Sequence, residues 1–162
     1  MSETRPDKRR TPKGRQANFR LCEPGYVPPF EQVTSVSVIP FTADGVMVAT
    51  EDKRGKDLPG GHVAEGETSC NQTAERESLE EAGIKLRNLR FLRAIESDLY
   101  GTEPGDLTYM VIMTAIVDAI VAEPLEGTRH LMTVEQFKAE HKSLRLGMVH
   151  ALIDEAFAST FG

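Results

Sequence analysis

Residues 60–84 read GGHVAEGETSCNQTAERESLEEAGI. The glycine pair at the start permits backbone turns and close approaches that other residues resist. Glu77, Glu80 and Glu81 follow at positions i, i+3 and i+4, which share one face if the segment is helical. A helix is expected from about Thr68 or Ser69 to Ala82, with Ser69 and Gln72 as a capping box and Gly83 as its end. Its apolar side is thin: Cys70, Ala74, Leu79 and Ala82. Three carboxylates crowded on the other side repel one another unless a positive charge lies over them. A hard divalent cation such as Mg²⁺, which takes oxygen ligands, meets that need. The plainer reading is a solvated acidic face on which Arg76 pairs with Glu80 one turn on.

These residues resemble the Nudix box, G-x5-E-x7-R-E-U-x-E-E-x-G-U, where U is a bulky apolar residue. Gly61 and Glu67 fit its first half; Arg76, Glu77, Glu80, Glu81, Gly83 and Ile84 fit its second. The chain departs from the pattern twice. Residues 68–75 number eight where the pattern has seven, and Ser78 stands at the first U position. An extra residue inside the helix would turn the Glu face by roughly 100° relative to Glu67, while one in the preceding loop would leave it unchanged. Ser78 loses an apolar contact, and its hydroxyl is expected to bond back to a carbonyl one turn earlier.

The resemblance implies an α/β/α sandwich with a mixed sheet and a Mg²⁺-dependent hydrolase, with Mn²⁺ as a substitute. Glu77, Glu80 and Glu81 would hold metal together with the Gly61 carbonyl, and Arg76 belongs to the same catalytic segment. A bound cation neutralises phosphate charge and lowers the pKa of a bound water, and a nearby carboxylate can act as general base. Many members of the family take a further Glu from the region beyond the last long strand. Glu126 and Glu123 stand there, with Glu96 and Glu103 as weaker candidates. Lys53, Arg54 and Lys56 precede Gly60 and could balance substrate charge. His62, His130, His141 and His150 show no ligand spacing.

The rest of the chain is consistent with one domain. At 162 residues it can bury a sizeable core, and its longest apolar run, 110–122, contains Asp118 and is too short to span a bilayer. No membrane partner is therefore expected. Cys22 and Cys70 lack CxxC spacing and read as free thiols of a cytoplasmic protein. Residues 1–20 hold seven Lys or Arg against two acids, whereas the remainder holds 12 basic residues against 23 acidic ones. We read 1–20 as a disordered basic tail and 21–162 as the domain. A polyanion such as nucleic acid could touch the tail, but Phe19 is its only aromatic and offers little stacking.

Val33–Ile39 is rich in β-branched residues and reads as a strand. Asp44-Gly45 signals a hairpin, with a second strand over 46–50. Further strands are expected at 89–96 and 107–117, the latter buried on both faces. A turn-rich loop is expected at 101–106 and another at 123–129, followed by helices at 133–141, capped by Thr133, and 148–157. Alternating strands and helices fit an α/β class.

The implied substrate is a nucleoside diphosphate linked to another moiety, or a nucleoside triphosphate. Tyr100 resembles a dinucleoside polyphosphate marker, and Pro104 lies too far along for a good match to the ADP-ribose marker. A catalytically impaired nucleotide-binding module and an RNA end-processing pyrophosphohydrolase are the competing readings. The base, the linked group and the oligomeric state stay open.

Overall fold

The computed structural model describes residues 18–98, 106–142 and 146–162. Residues 1–17, Tyr100, Glu103 and Pro104 lie outside the described residues. Among the described residues the strands are β1 (Phe19–Leu21), β2 (Val33–Phe41), β3 (Met47–Asp52), β4 (Gly55–Asp57), β5 (Gly60–His62), β6 (Ile84–Ser97), β7 (Thr108–Ile120) and β8 (Thr128–Met132). The helices are α1 (Cys70–Ala82), α2 (Val134–Glu140) and α3 (Leu146–Phe161). The strands form one mixed sheet in the order β1-β6-β7-β2-β3-β4, with β5 on β2 and β8 on β3. β2 runs parallel to β7, while β5 pairs antiparallel with β2.

Side chains on a strand alternate between faces, and β2 and β7 use both. Val36 and Val38 join Val111, Met113 and Ala115 against Ala74 of α1. Ile39 and Phe41 join Met110, Ile112 and Ile116 against Phe137 of α2 and Leu152, Ile153 and Ala156 of α3. The result is an α/β/α sandwich whose central strands are buried on both sides, as the apolar run at 107–117 implied.

Several boundaries differ from the sequence reading. Phe19 and Arg20, assigned to the tail, form β1 with Leu21, because β6 offers partners from Ile95 to Ser97. A three-residue strand is too short to show a period. β6 begins at Ile84 and passes through register shifts, with Asn88 at φ 54°, which breaks the alternation that placed its start at 89. β8 takes Thr128 and Arg129 from the expected 123–129 loop and continues to Met132, with its pairing supplied by β3. α3 extends from Leu146 to Phe161, beyond the expected 148–157.

α1 starts as expected. Ser69 is the N-cap and accepts from the Gln72 N–H at 3.3 Å. The reciprocal half of the box goes elsewhere, since Gln72 Oε1 accepts from the Thr68 N–H. Gly83 closes the helix in the left-handed region at φ 66°. The buried stripe is Thr73, Ala74, Ser78 and Ala82, whereas Leu79 is exposed and Cys70 half-buried. α1 runs unbroken from Cys70 to Ala82, and Ser78 rather than Leu79 faces the sheet. The back bond expected of Ser78 is absent: its Oγ is buried without a hydrogen-bond partner.

Candidate active site

Two glycines bring α1 and β5 together. Gly61 pairs with Val36, and a Cβ on Gly61 would fall on the Glu77 carboxylate. A Cβ on Gly60 would strike the Val36 carbonyl and Ser37. A side chain at Gly60 would meet backbone, and one at Gly61 would displace the Glu77 carboxylate, so the two glycines let the carboxylates of α1 lie directly over the β5 backbone. The Gly60 N–H donates to Glu81 Oε1 at 2.8 Å.

Arg76 organises the near side. Its Nε donates to Glu67 at 2.9 Å and its Nη1 to Glu77 at 2.8 Å and Glu80 at 3.2 Å. Nη2 reaches the His62 carbonyl at 2.9 Å and Glu67 again. Glu67 also accepts from the Ala64 N–H and the Thr73 hydroxyl. Despite the extra residue, Glu67 therefore faces Arg76 on the helix. Arg76 acts on the carboxylates around it, and the i, i+4 pair with Glu80 expected of a plain acidic face is present within this larger cluster.

Burial is the main cause that pushes the Glu81 carboxyl up to about 7; the nearby charges of Glu77 and Asp57 add to it, and the Gly60 N–H and Arg54 oppose it. Burial alone would also raise Glu67, but the hydrogen bonds from Arg76, Ala64 and Thr73 outweigh it and hold that carboxyl below the usual range. Its carboxylate partners raise Arg76 well above its ordinary value.

The far side is the loop 121–127. Its Leu125 N–H donates to the Glu80 carbonyl at 2.8 Å. Glu77, Glu80, Glu81, Leu125 and Glu126 line one open cavity of about 270 Å³. Glu126 is thus brought to the box glutamates. Glu123 instead turns to Arg129 at 3.8 Å and is almost wholly exposed. Glu96 lies on β6, bonded to Arg20 and Tyr109. Arg54, on the β3–β4 turn, pairs with Asp52 at 2.7 Å and reaches the site only through its field on Glu81. Lys53 shares that exposed turn, while Lys56 pairs with Glu51 and Glu140. His130 pairs with Glu51, and buried His141 stacks on Phe137.

The donor set fits a hard divalent cation: four carboxylates on one cavity, beside the backbone of a glycine strand. Among the described residues no three such groups converge on one point, because Arg76 draws Glu77 and Glu80 to itself and the Gly60 N–H draws Glu81. Glu77 and Glu80 share one guanidinium nitrogen of Arg76, and with Glu81 and Glu126 they are the residues that would hold such a cation. Leu125, Asp57 and Arg129 were not anticipated. They carry no motif, and only the sheet and the loop bring them to the site.

The family model of the NUDIX domain matches residues 31–152. A mutant of the Bacillus subtilis pyrophosphohydrolase BsRppH shares the fold at TM-score 0.70 and 21% identity, over 90% of this chain and 93% of that one. The NUDIX domain of Shewanella oneidensis NrtR, complexed with ADP ribose, aligns at TM-score 0.61 and 14% identity, over 76% and 87% of the two chains. The E. coli dihydroneopterin triphosphate pyrophosphohydrolase aligns at 0.59 and 18%, over 77% and 94%. No curated protein matches. With three quarters of its length matched by the family model, and with the box assembled as described, the chain belongs to the Nudix hydrolase family.

Proposed function

We propose that the chain hydrolyses a phosphoric anhydride bond in a nucleotide: a nucleoside triphosphate or a nucleoside diphosphate linked to another group. The observation that carries this is the meeting of Glu126 with Glu77, Glu80 and Glu81 on one cavity beside Gly60 and Gly61. The pyrophosphohydrolase activities named for two structural relatives support the same class of bond.

The four glutamates and the Gly61 carbonyl would hold Mg²⁺, or Mn²⁺ in its place. Bound there, the cation would neutralise phosphate charge and supply an activated water. Glu81 is half-buried and fixed against the Gly60 N–H, and a carboxylate of this cluster takes the proton of the attacking water. Arg76 positions Glu77 and Glu80, and its bonds to Glu67 keep it from following the substrate. Lys53 and Arg54, on the exposed β3–β4 turn, favour the approach of an anionic substrate.

The test is a panel of nucleoside triphosphates, dinucleoside polyphosphates, ADP-ribose, nucleotide sugars and capped RNA with Mg²⁺, run beside Glu81→Gln. We expect one class to turn over and Glu81→Gln to lose at least about a hundredfold in kcat with native circular dichroism. Nucleotide binding without turnover of any class would replace this reading with a binding module.

A further inference from the structure

Resting on the function proposed above, we infer that Arg129 is a positioning residue, which sets the fourth carboxylate of the site by tying the Glu126 loop to the end of α1. The loop has two attachments to this helix besides the Leu125–Glu80 bond. The Gly83 carbonyl accepts from the N–H groups of Val121 at 2.8 Å and Ala122 at 3.2 Å. Arg129 Nη1 donates to the carbonyls of Ala82 and Ala122, both at 2.8 Å. The first belongs to the last turn of α1 and the second to the loop, so one nitrogen bridges the two.

This placement is specific. The last four carbonyls of a helix lack intrahelical partners, and a cation there also complements the helix dipole. The Arg129 side chain is 15% exposed. It springs from β8, whose register on β3 pairs Arg129 with Thr50, so its root is fixed by the sheet. At the far end of the loop, Gly127 adopts φ 70° and a Cβ there would strike the Glu51 carbonyl. The segment carrying Leu125 and Glu126 is therefore held at the helix on one side and at β3 on the other. Arg129 lines no part of the cavity. Its effect on a bound cation passes through the backbone it holds, the loop and the end of α1.

The experiment titrates Mn²⁺ alone, read by its electron paramagnetic resonance signal, into the wild type, Arg129→Met, Glu126→Gln and the double variant, with Arg129→Lys and Glu81→Gln beside them. We expect Arg129→Met and Glu126→Gln each to weaken Mn²⁺ about tenfold, the order seen when a group supporting a metal ligand is lost. The double variant should bind no more weakly than the weaker single one, and Arg129→Lys should recover most of the affinity. Factors that multiply in the double variant, or unchanged Mn²⁺ affinity in Arg129→Met, would overturn the inference. If Arg129→Met does not fold, Arg129→Gln, whose shorter stem cannot bridge both carbonyls, carries the same comparison. Glu81→Gln separates the two levels. Its loss of Mn²⁺ beside a silent Arg129→Met sinks only the positioning role, whereas its unchanged affinity removes the metal site and this inference with it.

Discussion

Ser78 is the residue at which this chain departs most plainly from the box, and its surroundings say what the departure costs. Its hydroxyl is fully buried on α1 with no hydrogen-bond partner. A buried polar group left unsatisfied costs about 1–3 kcal/mol. Alanine removes that group and is also the better helix former. Ser78→Ala is therefore expected to raise stability by about 1 kcal/mol, or roughly 2–4 °C in Tm for a chain of this size. Calorimetry on the two proteins checks it, and a lower Tm in the variant would mean that the hydroxyl is used. The Ser78 hydroxyl bonds to none of Glu77, Glu80 and Glu81, so the variant should keep the wild-type response to Mg²⁺.

At the scale of the element, the loop before α1 is fixed by Glu67. Its carboxyl is lower in the folded protein than in the unfolded chain, where Glu titrates near about 4.3. The stability this provides is complete above that value and is lost as pH falls through the lower folded one. Urea midpoints should thus fall more steeply from pH 5 to pH 3 in the wild type than in Glu67→Gln; parallel slopes would show that Glu67 titrates alike in both states. The element scale also separates what the sequence disclosed from what it did not. The i, i+3, i+4 spacing, the Ser69 cap and the Gly83 stop depend on a few neighbouring residues, so α1 and its acidic face were legible. So were β2 and β7, whose double burial writes itself as a continuous apolar run. β1 and β8 were not, because three and five residues carry too little periodicity and their pairing comes from β6 and β3. The orientation of Glu67 was hidden for a related reason: it depends on where a loop takes up one residue. Glu126 could be singled out only as one of two nearby acids; only the folded loop shows Glu126 on the cavity and Glu123 exposed beside Arg129.

For the whole molecule, the two faces of the central strands carry separate cores. Phe41, fully buried on β2, meets Phe157 and Phe161 of α3 edge-on at 5.7 and 5.6 Å. Phe41→Ala leaves a cavity under that helix and should cost about 3–5 kcal/mol. The loss should lie in a single unfolding transition with an unchanged denaturant slope, since β2 belongs to both cores. A second transition, or a reduced slope, would mean that α3 detaches by itself. β2 has one further consequence. The Gly60–Gly61 strand rests on it by register, and the Gly60 amide proton is held by the Glu81 carboxylate. An amide held in this way exchanges with solvent when that bond opens. The deuterium uptake of one glycine therefore reports both the charge on Glu81 and the pairing of its strand with the sheet beneath it.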